Sequence, residues 1–371
     1  MISRKRAVML CVACAVLAAS LGAGASLYYV YRSPLGKIYS IVNLLDKEFY
    51  RPVDWAEAME GGARGAVAAL GDPYSAYMSK NEWTEFEVRT SGEYSGIGVT
   101  IGVRDKQVII APPMKGSPAE EAGLRADDVI TMVDGTPIYT SDKAASLIRG
   151  RAGTPVTLSI LRGKEAFEVT IVRREIMIPA TSYSEIEEGV GYIQLMSFNE
   201  HSSSETAAAL QELKNQGAKV IILDLRNNGG GYVEECLRIA ELLIPKGSVV
   251  TLKYKSQSPA SYGTNGNGLG VPLLVLVNKG SASASEILAG AIQARKAGTL
   301  IGQTTFGKGV VQGAFFMRDG SVVKLTTAEY LTPSGQAING AGLEPDVAVQ
   351  GDQEQLAKAL EMARAAIAAT K

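Results

Sequence analysis

The run Pro272-Leu-Leu-Val-Leu-Val-Asn278 is followed by Gly280-Ser-Ala-Ser-Ala-Ser-Glu286 and then by Ile287-Leu-Ala-Gly-Ala291. The first segment is short, β-rich and apolar throughout, as a strand buried on both faces must be. The stretch from Glu286 to Ala294 is rich in good helix formers. Between them lies a turn of small residues. A serine in such a turn presents its hydroxyl beside backbone N–H groups at a helix N-terminus, which stabilise developing negative charge. The same residues also suit a plain helix cap.

A serine nucleophile needs a proton acceptor. The chain has one histidine, His201, in the polar stretch Ser197–Ser204, so a Ser/His/Asp triad depends on that residue alone. The alternative is a lysine. Gly307-Lys-Gly-Val-Val-Gln312 opens an apolar, β-rich segment that runs through Phe315 and Phe316. Alternate residues of a strand share a face, so Lys308, Val310 and Gln312 are expected to point the same way. The flanking glycines allow another backbone to come close. A desolvated lysine loses its proton more readily and can act as a general base, with Gln312 orienting it. An edge-strand charge is the bland reading of Lys308.

Gly280–Glu286 and Phe306–Gln312 together resemble the active-site motifs of the C-terminal processing (tail-specific) serine peptidases. The resemblance implies that Ser283, the middle serine, is the nucleophile. It implies a lysine base 25 residues on, Lys308, supported by Gln312 four residues further. Arg226-Asn-Asn-Gly-Gly-Gly231 is similar to the family's glycine motif, which implies oxyanion-hole N–H groups from Gly230 and Ala284. A glycine-rich strand end is also suited to an anion nest or a tight turn. No cofactor and no metal are implied. Asp224 and Arg226 read as a structural ion pair. Gly71–Tyr77 and Tyr330–Gly335 resemble scaffold turns of the family.

Residues 91–176 resemble a PDZ domain. Ser95-Gly-Ile-Gly-Val99 is similar to its carboxylate-binding loop, so Ile97, Gly98 and Val99 are the candidate peptide-binding residues. Gly-rich backbone aims N–H groups at a chain-terminal carboxylate while the peptide adds a strand to the sheet edge. Ser141–Arg149 reads as the accompanying helix. By analogy with relatives, Arg149 is the candidate sensor of peptide occupancy, and a homodimer is expected.

The 371 residues allow two or three domains, and 46% apolar residues supply a core. The net charge is −1, with no basic block beyond the extreme N-terminus, which argues against a nucleic-acid partner. Three cysteines form no disulfide framework or zinc spacing. Arg4-Lys-Arg6 precedes an uncharged run of 25 residues, Ala7–Tyr31. About 20 apolar residues span a bilayer, and a basic flank stays cytoplasmic. The expectation is an uncleaved membrane anchor with the rest of the chain outside the cytoplasm, and a cleaved signal peptide at Ala23-Gly-Ala25 as its rival.

The expected fold is α+β and multidomain. It comprises a cytoplasmic stub and transmembrane helix (1–33), a helical hairpin (34–90), a PDZ domain (91–176), a crotonase-like ββα peptidase core (177–350) and a terminal helix (351–371). The expected function is a serine endopeptidase that recognises protein C-termini and cleaves extracytoplasmic proteins with a Ser/Lys dyad. A catalytically silent PDZ adaptor is the alternative, and tail binding without turnover separates the two.

Overall fold

The computed structural model describes residues 33–369. Residues up to Gly71 form one unit and Asp72–Lys371 another. The first contributes two helices, Pro34–Glu48 and Trp55–Ala68, each started by a side-chain cap, Ser33 and Asp54 respectively.

The centre of the second unit is a six-stranded sheet in the order 181–187, 190–195, 220–224, 273–277, 299–302, 347–348. The first pair is antiparallel and the rest are parallel. Val220–Asp224 and Leu273–Val277 are buried at every position. Alternation along them divides two cores. Ile221, Leu223, Leu273, Val275 and Val277 face one, where the helices Ser202–Asn215, Val233–Leu243 and Ala284–Ala294 pack. Val220, Ile222, Leu274 and Leu276 face the other, closed by Ala359 and Ala363 of the helix Asp352–Ala369. A second, antiparallel sheet lies across those helices and contributes Val250, Leu252, Ala328 and Tyr330 to the first core. In it, Val322–Leu331 pairs with Ala76–Met78, Pro245–Tyr254 and Val310–Phe316.

Residues 101–172 form a separate sheet in the order 101–104, 107–110, 129–133, 155–162, 165–172. Ile101–Arg104 is its edge strand. The helix Ser141–Ile148 packs against that strand, and Ala144 and Ile148 join Ile97, Ile130 and Leu158 in its own core. The turn at Asp134-Gly135 has positive φ at both residues, 46° and 72°, which suits a tight hairpin turn. The segments that enter and leave the module, Glu93–Gly96 and Arg174–Met177, pair with each other in a short antiparallel ladder.

The expectation of a transmembrane helix in this fold is corrected. Among the described residues, no helix is long and apolar enough to cross a membrane. The longest, Asp352–Ala369, carries Asp352, Glu354, Lys358, Glu361 and Arg364 within its 18 residues. The run 7–31 on which the expectation rested lies outside the described residues.

Candidate active site

The turn between Leu273–Val277 and Ala284–Ala294 is tied to the loop that follows the neighbouring parallel strand. Asn278 Oδ1 accepts the N–H groups of Gly280 (2.9 Å) and Asn227 (3.0 Å). Ser281 Oγ donates to the Leu225 carbonyl (2.7 Å), and Ser285 Oγ donates to the Asn228 carbonyl (2.8 Å). Both serines are fully buried, so their hydroxyls are committed to shaping the turn. Ser283 is the serine of the three that faces a cavity. Its backbone has φ 57° and ψ −117°, a costly conformation for a residue with a Cβ, which the surrounding bonds must enforce.

One carboxylate enforces much of it. Glu286 is fully buried. Its Oε2 accepts the Ser283 N–H (2.9 Å) and the Lys308 N–H (2.9 Å). Its Oε1 accepts the Gly307 N–H (2.7 Å) and the Thr305 hydroxyl (2.6 Å). The Tyr330 hydroxyl donates to the Ser283 carbonyl (3.2 Å) and reaches Glu286 Oε2 at 3.5 Å. Burial first, then the Glu286 charge, pushes the Tyr330 phenol well above its ordinary value, so it remains a donor. The serine turn and the lysine loop are thus bound to the same buried side chain.

Lys308 lines the same cavity as Ser283. Its proton affinity is pulled below the ordinary lysine value by burial and then by the charge of Lys324, against the opposing charges of Asp72 and Glu286. Its Nζ lies 5.0 Å from the centroid of the Tyr74 ring. The flanking glycines admit neighbouring backbone: a Cβ on Gly309 would come within 2.5 Å of the Asn339 nitrogen, and one on Gly307 within 3.0 Å of the Gly342 nitrogen.

Lys308 is not on a strand, contrary to expectation. Lys308 precedes the strand Val310–Phe316 and sits in a loop. A bulge between Val311 and Gln312 then breaks the alternation, so the consecutive residues Val311, Gln312, Gly313 and Ala314 all line the cavity. Gln312 reaches it by this route, with its Nε2 donating to Thr326 Oγ1 (3.3 Å).

Gly230 abuts the serine turn. Its φ is 98°, and a Cβ there would lie 2.8 Å from the Ser283 Cβ and 2.9 Å from the Ala284 nitrogen. Gly230, Ala284 and Ser283 therefore converge. The Gly230 N–H, however, donates to Asn228 Oδ1 at 2.9 Å, a contact with no local sequence signal. The Ala284 N–H belongs to the first turn of its helix, where amides have no intrahelical acceptor.

The cavity has a volume of about 570 Å³. Trp83, Phe86, Phe198, Leu237, Leu252 and Tyr254 give it apolar and aromatic walls, suited to side chains of an extended polypeptide. His201 is elsewhere: it precedes the helix Ser202–Asn215, and its Nε2 lies 2.5 Å from Glu93 Oε1. Arg226 grips Asp224 (2.6 Å), which also accepts the Tyr192 hydroxyl, forming a structural cluster. Asp72 and Tyr74, assigned to scaffold on sequence, face the lysine instead. Of the features missed, only Glu286 carried a signal: Ser-x-x-Glu places a carboxylate at the third helical position, where it reaches back to the cap.

The candidate peptide-binding residues lie in the other module, leading into the edge strand. Ile97 is fully buried and its carbonyl accepts the Ala119 N–H (2.9 Å). Gly98 has φ 79°, and a Cβ there would meet the Ser117 Cβ at 2.3 Å, so glycine is required. Arg149 caps the C-terminus of the helix Ser141–Ile148. Its charge opposes the upward push of burial on the Tyr94 phenol.

The sequence model of peptidase family S41 matches residues 189–349, that of a PDZ domain 109–162, and that of the activating protease CtpB N-terminal domain 22–82. The solved photosystem II D1 C-terminal processing protease is 32% identical over 86% of this chain and 88% of its own, with a TM-score of 0.51. The chain belongs to peptidase family S41. Other relatives of this S41 chain include probable CtpA-like serine proteases of Staphylococcus haemolyticus (strain JCSC1435) and Staphylococcus aureus (strain COL). Each is 36% identical over 87% of this chain. The chain spans 66% of the length of those two relatives. A putative S41 protease from Bacteroides fragilis NCTC 9343 shares the fold at 20% identity and a TM-score of 0.51.

Proposed function

We propose that this S41 chain is a serine endopeptidase in which Ser283 is the nucleophile and Lys308 the general base. The observation that carries this reading is the Glu286 carboxylate, which holds the N–H of Ser283 and the N–H of Lys308 at 2.9 Å each. In the proposed mechanism the Ser283 oxygen attacks the scissile carbonyl and its proton passes to the Lys308 amine. The ammonium so formed delivers that proton to the leaving amine, and water hydrolyses the acyl-enzyme by the same relay. Gln312 orients the lysine. The Ala284 N–H stabilises the oxyanion at once, and the Gly230 N–H joins it after exchanging Asn228 Oδ1 for the oxyanion.

The PDZ module reads the free C-terminus of the protein to be cut, through Ile97, Gly98 and Val99 and the edge Ile101–Arg104. Arg4-Lys-Arg6 and the apolar run 7–31 support export of the chain and therefore substrates outside the cytoplasm. One observation favours the adaptor reading: the Gly230 amide already has an acceptor. A chain that binds tails without turnover would bear that reading out.

The test is digestion of a denatured protein, with fragment mapping by mass spectrometry. Ser283→Ala and Lys308→Ala should each lower the rate on the order of 10⁴–10⁶-fold, with no further loss in the double variant. His201→Ala should cleave within about twofold of the parent, the scale of a surface change away from the site. Equal damage from His201→Ala and Lys308→Ala overturns the dyad.

A further inference from the structure

A second lysine in the catalytic cavity has no part in the dyad. Lys324 lies on the strand Val322–Leu331, opposite Ala314 of the neighbouring strand. Two residues on, Thr326 is opposite Gln312 and accepts its side-chain N–H. Residues two apart on a strand share a face, and Lys324, Gln312 and Ala314 all line the cavity that holds Ser283 and Lys308. Lys324 is partly buried, and its Nζ stands 4.8 Å from the centroid of the Phe86 ring. A ring face favours the ammonium over the amine. Phe86 is itself steadied by Trp83, 5.3 Å away between ring centroids.

We propose that Lys324 is a positioning residue for the base: its ammonium, seated on Phe86 in the shared cavity, disfavours a second positive charge and so keeps Lys308 as an amine. The inference rests on the dyad reading above. A cationic neighbour is a known way to activate a lysine. Glu286 reaches Lys308 from the nucleophile helix and Asp72 from the loop before Ala76–Met78, both favouring the ammonium, as does the Tyr74 ring 5.0 Å from its Nζ, while Lys324 opposes them from the adjoining strand. Burial pushes Lys308 in the same direction as Lys324 does. Lys324 also loses proton affinity through burial, and the repulsion between the two ammonium groups is mutual, so the cavity holds one of them more readily than two.

The test reads the base without a peptide in the cavity. A neutral alkyl fluorophosphonate labels the full chain at Ser283: the serine oxygen bonds to phosphorus, fluoride leaves, and Lys308 takes the proton. The labelling rate is followed against pH. In Lys324→Met the midpoint of the rising limb should move to higher pH, with a several-fold loss at pH 7 and the parent rate recovered at the alkaline plateau. Lys324→Arg should restore the parent midpoint. Lys324→Gln is the second neutral variant should the Met variant not fold, and thermal unfolding is measured for each. An unmoved midpoint beneath a lowered plateau would mean that Lys324 serves only the fold or the probe, and the proposal falls. Failure of the dyad itself has another signature: Lys308→Ala is labelled as fast as the parent, or the parent profile is flat.

Discussion

The cavity that holds Ser283 and Lys308 and the PDZ module are built from different materials. In the cavity, position is set by buried side chains. Glu286 accepts from four groups between 2.6 and 2.9 Å, and Asn278, Ser281 and Ser285 tie the serine turn to the loop beside it. In the PDZ module, the candidate peptide-binding features are backbone: the loop Ile97–Val99, shaped by Gly98, and the edge strand Ile101–Arg104. Bond cleavage requires particular charges at fixed places, and only side chains supply them. Reading a chain end requires groups that meet any peptide, and backbone N–H and C=O do that. The first arrangement is vulnerable to one substitution; the second is vulnerable mainly where a Cβ intrudes.

The strongest test of this contrast is Glu286→Gln. The amide keeps one acceptor oxygen and turns an NH₂ toward N–H groups that now face a donor. Turnover should fall by about 10²-fold or more, the scale of losing one oriented group at an oxyanion site. An activity near the parent's would show that the side-chain scaffold is dispensable. Gly98→Ala probes the other material. Its strained φ and the Ser117 contact should abolish stimulation by a peptide with a free apolar C-terminus, measured on a separate reporter substrate, while basal cleavage persists. The amidated peptide should fail to stimulate even the parent, since on the proposed reading the loop takes a carboxylate. Equal stimulation by both peptides would remove the loop from recognition. The smallest expected effect is that of Tyr330→Phe. It removes a hydrogen bond to the Ser283 carbonyl, worth about 1 kcal/mol or roughly fivefold in kcat, with KM unchanged.

Much of this molecule was legible from local pattern. Val190–Leu195 and Val233–Leu243 have the bounds that periodicity assigns them, and the strand–turn–helix around Ser283 differs only in detail. These elements are long or strongly apolar, so burial and propensity agree. That Ser283 and Lys308 share one cavity agrees with their spacing in the sequence, but how they are held was not legible there. The β formers after Lys308 predict a strand there; the close approach of neighbouring backbone to Gly307 and Gly309 accompanies a loop instead. The bulge that turns Gln312 inward has no local signal. Asp72 and Tyr74 read as a turn because a turn is what they form, and the lysine above them comes from over 230 residues away. Lys324 had no distinguishing context at all. Asn228, fully buried and bonded to the Gly230 amide, looked like one more polar residue in a glycine-rich loop.

The cavity's lysine rests on Tyr74, in the first quarter of the chain, and its serine turn is bonded to Tyr330, in the last. On a ribosome adding roughly 5–20 residues per second, the second follows the first by about 10–50 s. Throughout that interval the chain has no assembled site. The PDZ module, closed by the ladder between Glu93–Gly96 and Arg174–Met177, is complete in sequence well before Ser283 has been translated. On the proposed reading, a growing chain therefore acquires its reader before its cutting site.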